Sequence, residues 1–275
     1  MKNWIIAVIV VVLGLAAWYL FSVRQAPVEE APPPPAIVEQ KVSPPPPPVQ
    51  EPPKPTMPVT APEPVVEQPP MPPLADSDPM AIETLSGLAG AEPVQQYVVS
   101  EDVVSRLVAT IDALSGRQVP ASIKAVQGPG GEFQATADKD PPSVIRNMAG
   151  DPVPQFIVDP ANFQRYTPYV ESLEKMSTTE LAEAYRDFRP LFEEAFRQLG
   201  YPDGDFDQRL TAVIDELLAT PDVTDPLRLI KPEAYYLYAD EDLETLTAGQ
   251  KVLLRMGPDN AARVKAKLVE IRGAL

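Results

Sequence analysis

The hydrophobic pattern begins with an uninterrupted apolar stretch at residues 4–21, which has 18 positions and no charge. As a helix rising about 1.5 Å per residue, it would be roughly 27 Å long, close to the hydrocarbon thickness of a bilayer. Trp4 lies at one end and Trp18 and Tyr19 at the other, as is usual at lipid–water interfaces. We therefore predict a transmembrane anchor within residues 1–24. The alternative is a cleaved signal peptide, for which the apolar core would be unusually long.

The few charges around this stretch predict its orientation. Lys2 precedes it, whereas Arg24 is followed closely by Glu29 and Glu30. Positive charge is retained on the cytoplasmic side of a membrane. We therefore expect a cytoplasmic N-terminus, a single pass through the inner membrane and, in a Gram-negative cell, a periplasmic globular part.

A proline-rich segment follows at residues 25–75. Of the 36 prolines in the chain, 20 fall between Pro27 and Pro73. Proline fixes φ and removes a backbone donor, so neither helix nor sheet is expected, and polyproline II is favoured. We predict a disordered linker that acts as a stalk of up to roughly 155 Å at about 3.1 Å per residue. The alternative is a docking segment for a PxxP-binding module.

From residue 76 to 275 the apolar positions recur mostly at helical spacing, which predicts a mainly α globular domain. Helix starts are expected near Ser77, at Ser100 and at Ser177, and the helix after Ser177 should contain Pro190 and end at Gly200.

Later in the domain, Asp205 should begin another helix. Three consecutive helices are expected at 232–246, 248–256 and 258–272, with Thr247 as the cap of the second. Residues 132–136 and 155–158 are the apolar runs that best fit a short β-hairpin.

Composition removes several kinds of chemistry. The chain has no cysteine and no histidine, which excludes disulfides, thiolate sites, histidine-based zinc sites and Ser-His-Asp triads. No cofactor is expected. The net charge of −16 makes nucleic acid an improbable partner. Residues 251–275 differ, since six basic and two acidic residues give this last segment a charge of +4.

Three acidic residues are spaced like the ligands of a calcium-binding loop. Asp203, Asp205 and Asp207 alternate as calcium ligands do, but Gln208 and Ile214 stand where an EF-hand requires glycine and glutamate. A turn between two capped helices explains the same residues more simply.

Other short motifs are explained without chemistry. Ser172 and Lys175 match only a bare S-x-x-K, and residues 128–131 lack the lysine of a phosphate loop. Glu193 and Glu194 could serve as acids, but i,i+4 arginines favour a salt-bridged surface. The tyrosines Tyr235, Tyr236 and Tyr238 could stack on sugars, yet rings at this spacing more often fill a core.

The basic end of the chain is the strongest candidate binding site. On a helical wheel Lys265 and Arg272 lie beside the apolar stripe and should pair with the acidic body. Arg263 and Lys267 should project on the opposite side. With Arg255, they form a predicted basic patch for an anionic envelope component; the alternative is ordinary solvation and helix-dipole complementarity.

Three segments, 162–170, 191–204 and above all 247–268, resemble the bacterial family catalogued as domain of unknown function 3014. The last segment reads TAGQKVLLRMGPDNAARVKAKL. The resemblance implies a proteobacterial envelope protein with the same order of anchor, stalk and domain. It supplies no catalytic residue.

The function expected first is a non-enzymatic tether or scaffold, fixed in the lipid bilayer through residues 4–21, that binds an envelope protein or an anionic wall polymer. The alternative is an envelope hydrolase that uses carboxylates on cell-wall material, for which a concave acidic cluster with raised pKa would be the signature.

Overall fold

A computed structural model of the chain describes residues 71–232 and 235–275. The anchor predicted at residues 4–21 and nearly all of the predicted stalk lie outside the described residues. Within the described part, no helix combines the length and the apolar character needed to cross a membrane.

The described part is mainly helical, with one small antiparallel sheet. The helices are α1 (Asp78–Ala89), α2 (Ala91–Tyr97), α3 (Val103–Leu114), α4 (Ala161–Gln164), α5 (Thr167–Lys175), α6 (Thr178–Gln198), α7 (Phe206–Leu218), α8 (Glu241–Thr245), α9 (Ala248–Arg255) and α10 (Gly257–Ala274). The strands are β1 (Ala135–Ala137), β2 (Gln155–Val158), β3 (Arg228–Ile230) and β4 (Leu237–Tyr238).

The larger hydrophobic core lies between the helices. Leu85 of α1, Leu107 of α3, Phe192 of α6, Phe206 of α7 and Leu253 of α9 are at most 1% exposed. Each buried side chain of this size stabilises the folded state by roughly 1.5–3 kcal/mol relative to an exposed one. This burial holds together helices that are individually short.

The sheet has the strand order β1-β2-β3-β4. The predicted hairpin is confirmed, because Ala135 lies opposite Val158 and Ala137 opposite Phe156. Sequence reasoning missed the other half of the sheet, in which Phe156 lies opposite Leu229 and Leu229 opposite Tyr238.

The helix predicted at 232–246 is wrong, because this stretch contains the strand β4. Among the described residues of this stretch, helix forms only over the five residues of α8, where the Asp240 carboxylate accepts hydrogen bonds from the amides of Asp242 and Leu243. The aromatic and aliphatic side chains of 235–238 suit a half-buried sheet as well as a helix. Val158, Leu227, Leu229, Tyr238 and Leu254 then form a second, smaller core under the sheet.

The starts of several helices follow the predicted capping residues. The Ser177 and Asp205 side chains accept hydrogen bonds from the amides of Glu180 and Gln208. Thr247 forms a complete capping box with Gln250. The helix after Ser177 continues through Pro190 and ends beside Gly200, as expected.

The predicted cap at Ser100 is wrong. Helix α3 begins at Val103, and its cap comes from a distant residue, since Asp78 at the start of α1 accepts hydrogen bonds from the amides of Asp102 (2.9 Å) and Val103 (2.8 Å). This carboxylate satisfies amide donors that a helix start leaves free. It ties the first described α-helix to the middle of the core.

Candidate functional site

The basic tail helix α10 is extensively paired with the acidic body. Lys265 Nζ contacts the carboxylate of Asp222 at 2.7 Å, and Arg272 Nε contacts that of Asp215 at 2.9 Å. These two residues were predicted to pair internally, and the structure confirms it.

The residues of the predicted basic patch lie in three different surroundings. Arg263 forms a two-pronged ion pair with Glu174 of α5, which holds the pKa of that carboxyl below its usual range. The Arg255 guanidinium lies 5.9 Å from the ring centre of Tyr238.

Lys267 does not project into solvent as predicted. It is 8% exposed, and its Nζ donates to the Met176 carbonyl at 2.8 Å, to the Thr178 hydroxyl at 2.9 Å and to the Glu270 carboxylate at 2.9 Å. The prediction was wrong because Lys267 is three residues after Val264 and four before Ile271, which places it only about 40–60° from these two buried residues on the helical wheel. Lys267 therefore borders the buried stripe, and α5 and the start of α6 cover it.

The predicted acidic positions are partly brought together. Glu193, Asp205 and Asp207 place carboxylate oxygens within 4.8 Å of one another, and we call these three residues the acidic cluster. Asp203 is not among them.

Each member of the acidic cluster already has a protein partner. Glu193 accepts from the Phe206 amide at 3.2 Å, and Asp205 caps α7. Asp207 accepts a hydrogen bond from the Tyr185 hydroxyl and pairs with Arg189 at 2.5 Å. Burial and this hydrogen bond raise the pKa of Tyr185 far above its usual range. The acidic cluster therefore links α6 to α7. Its carboxylate oxygens already accept hydrogen bonds or pair with Arg189, and a metal ion would have to compete with these partners.

The remaining motifs have structural roles. Ser172 Oγ donates to the carbonyl of Pro168 one turn earlier, and Lys175 is exposed. Residues 128–131 wrap around the guanidinium of Arg165, which donates to the carbonyls of Pro129, Gly130 and Gly131 at 2.9–3.1 Å. Tyr236 packs against the rings of Phe156 in β2 and of Phe133 just before β1, at centroid distances of 5.3 and 5.4 Å.

A site that sequence reasoning missed lies between the sheet, the loop 220–227 and the helices α9 and α10. It is a cleft of about 600 Å³, within the range of ligand pockets. We call it the α10 cleft. Its buried floor is formed by Val158, Leu227, Leu253, Leu254 and Gly257.

The rim of the α10 cleft combines prolines with charges. Asp222, Asp225 and Asp259 are exposed acidic residues at the rim, and Lys265 is the lysine among the lining residues. The residues that line the cleft could not be grouped from the sequence, because the loop 220–227 (TPDVTDPL) and α10 are far apart along the chain. The cleft appears only when α10 packs against the end of α7.

Gly257 allows the close packing at the cleft floor. Its φ is +80°, and a Cβ there would lie 2.5 Å from Cγ of Phe163. The chain therefore turns sharply between α9 and α10 with an aromatic ring against its backbone, which glycine alone permits without strain.

These features define a mainly helical domain with a four-stranded antiparallel sheet, an apolar cleft and an ion-paired surface. The family described as protein of unknown function (DUF3014) matches residues 103–272, and the chain belongs to this family. No curated protein and no solved structure matches the chain.

Proposed function

We propose that this protein is a non-enzymatic envelope tether that holds a protein partner in its α10 cleft. Residues 4–21 would anchor it in the inner membrane, with the N-terminus in the cytoplasm, and residues 25–75 would space the globular domain from the bilayer within the periplasm. The anchor and the orientation are supported by the apolar stretch and the charges around it.

The α10 cleft is the observation that carries this proposal. It is a concave, largely apolar surface of the size that binding sites have, and it is open at its rim. Apolar floors of this kind bind by burying the partner's apolar side chains, at roughly 25 cal/mol per Å² before the cost of association.

The charged groups of the domain favour a tether over a carboxylate hydrolase. The acidic cluster is engaged by a backbone amide, a tyrosine and an arginine. The pKa of Glu174 and that of Glu270 are lowered by their basic partners rather than raised. A general acid needs a raised carboxyl pKa near neutrality.

The pairing of the tail helix also favours a protein over an anionic wall polymer. The cations of Arg263, Lys265 and Arg272 each contact a carboxylate of the same chain. A polyanion would have to displace these carboxylates to bind there. A protein that docks in the cleft leaves all but the Lys265 pair untouched.

Site-specific photocrosslinking in intact cells tests the proposal. A photoreactive residue at Thr224 or Ala262, both at the cleft rim, should give discrete adducts with another protein. The same residue at exposed Glu83 or Asp203, outside the cleft, should not.

The outcomes separate the two functions. Adducts that are equally abundant at all four positions would overturn the cleft as the binding site. Release of soluble fragments from purified cell wall by the full chain, lost on mutation of the acidic cluster, would replace the tether with a hydrolase.

A further inference from the structure

The loop that borders the α10 cleft has unused backbone groups. Within the described residues, the amides and carbonyls of 222–225 form no hydrogen bond with any other part of the chain. The loop is instead held at its start, where Lys265 Nζ donates to the Thr220 carbonyl at 2.6 Å and to the Asp222 carboxylate. These free amides and carbonyls lie beside an apolar floor and are available to hydrogen-bond to the main chain of a bound extended peptide, as backbone groups do at the peptide-binding edges of sheets.

The charge of the rim specifies what such a peptide should carry. Asp222 is paired with Lys265, whereas Asp225 and Asp259 form no ion pair within the described residues. Both are exposed, and both border the cleft. Two carboxylates that pair with no cation of the described residues, beside an apolar floor, favour a cation on the ligand and disfavour an anion.

We propose that the α10 cleft binds an extended segment of a partner protein in which an apolar side chain lies next to a lysine or arginine. The apolar side chain occupies the floor formed by Leu227, Leu253 and Leu254. The basic side chain faces Asp225 and Asp259, and the main chain of the segment hydrogen-bonds to residues 222–225. This inference rests on the proposed tether function and adds the chemistry of its partner.

The dimensions of the cleft agree with such a ligand. A volume of about 600 Å³ accommodates several side chains but not a folded domain. An anionic polymer would meet two carboxylates at the rim in addition to the overall charge of −16. It would also gain little from the apolar floor.

The inference is tested by selecting displayed ten-residue random peptides on the full chain in detergent, with counter-selection against the variant Ala262→Trp. Ala262 is exposed at the cleft rim, so that an indole there blocks the entrance without entering the core. Enriched peptides should contain an apolar residue adjacent to Lys or Arg.

A dye-labelled copy of the most enriched peptide is then titrated by fluorescence anisotropy. Asp225→Lys should weaken its binding at least tenfold, while Asp203→Lys, the same charge reversal on an exposed loop outside the cleft, should leave it within twofold. A peptide with Glu in place of each basic residue should not bind.

Three results would overturn the inference: selection of acidic or uncharged peptides, no enrichment over the Ala262→Trp variant, or binding unaffected by Asp225→Lys. If the in-cell adducts at the cleft rim persist alongside any of them, the tether function stands and only the partner chemistry is wrong. If the adducts are absent as well, the tether proposal fails with it.

Discussion

Replacement of Lys267 by methionine distinguishes a structural lysine from a ligand-binding one. Methionine keeps the length and most of the volume of the side chain but removes the ammonium. The Met176 carbonyl then loses its hydrogen bond from Nζ, at 2.8 Å, in a buried position. Thr178 keeps its own hydrogen bond to Glu270, so its hydroxyl is not left without a partner.

The magnitude follows from these contacts. A buried acceptor left unsatisfied costs about 1–3 kcal/mol, and the loss of a charged donor lies toward the upper part of that range. Methionine offsets part of this free-energy cost, because no ammonium group has to be desolvated on folding. We therefore expect Lys267→Met to lower the free energy of unfolding by about 2 kcal/mol, which for a domain of this size is a fall in Tm of about 4–8 °C.

Urea unfolding of the full chain in detergent, followed by circular dichroism at 222 nm, measures this change. The matched control is Lys175→Met on α5, whose side chain is exposed; it should stay within about 0.5 kcal/mol of the wild type. If Lys267→Met were as stable as this control, the interhelical role of Lys267 would be refuted, and the predicted basic patch would regain its central residue.

Further predictions concern a helix cap, a tight turn, a buried lysine and the acidic cluster. Asp78→Ala should destabilise the domain by about 1–2 kcal/mol in urea unfolding because α3 loses its cap, whereas Asp76→Ala, at an exposed neighbour, should not. Gly257→Ala should cost about 3 kcal/mol from positive φ and a clash with an aromatic ring, while Gly130→Ala, where a Cβ meets nothing within 4 Å, should be nearly neutral. Burial lowers the pKa of Lys124 from 10.5 to about 8. Below pH 8 Lys124 is protonated in both the folded and the unfolded state, so the cost of burying its charge is fully present, and this penalty fades as the pH rises from 8 to 10.5. Lys124→Met should therefore be more stable by roughly 1–2 kcal/mol at pH 7 and equal to wild type at pH 11. An unchanged gain at pH 11 would contradict that cause. Calcium should leave Tm unchanged, and a rise that is lost on mutation of the acidic cluster would show a metal site.

Local sequence signals located most of the helices because their causes are local. The side chains of Ser177, Asp205 and Thr247 each accept a hydrogen bond from the amide three positions later, so a short window contains the whole interaction. The cap of α3 comes instead from a residue 24 positions earlier. No window around Ser100 could reveal it.

The candidate site was hidden for the same reason. Arg263 pairs with Glu174, which lies 89 positions earlier, and Lys267 donates to the carbonyl of Met176, 91 positions earlier. The cleft likewise joins segments from β2 to α10. Periodicity correctly gave the pairing of Lys265 and Arg272 with the acidic body. The same periodicity places Lys267 beside Val264 and Ile271 in the buried stripe, which the prediction of a solvent-facing Lys267 overlooked.

The cap supplied by Asp78 affects where the protein can be cut. The match to the family begins at residue 103, the first residue of α3. Yet the preceding segment supplies the carboxylate that caps this helix and also Leu85 and Leu88, which are buried in the main core. A fragment that began at the family boundary would expose an apolar face and leave amides at the start of α3 without acceptors. Expression of a stable soluble piece should therefore start before Leu74, about 30 residues upstream.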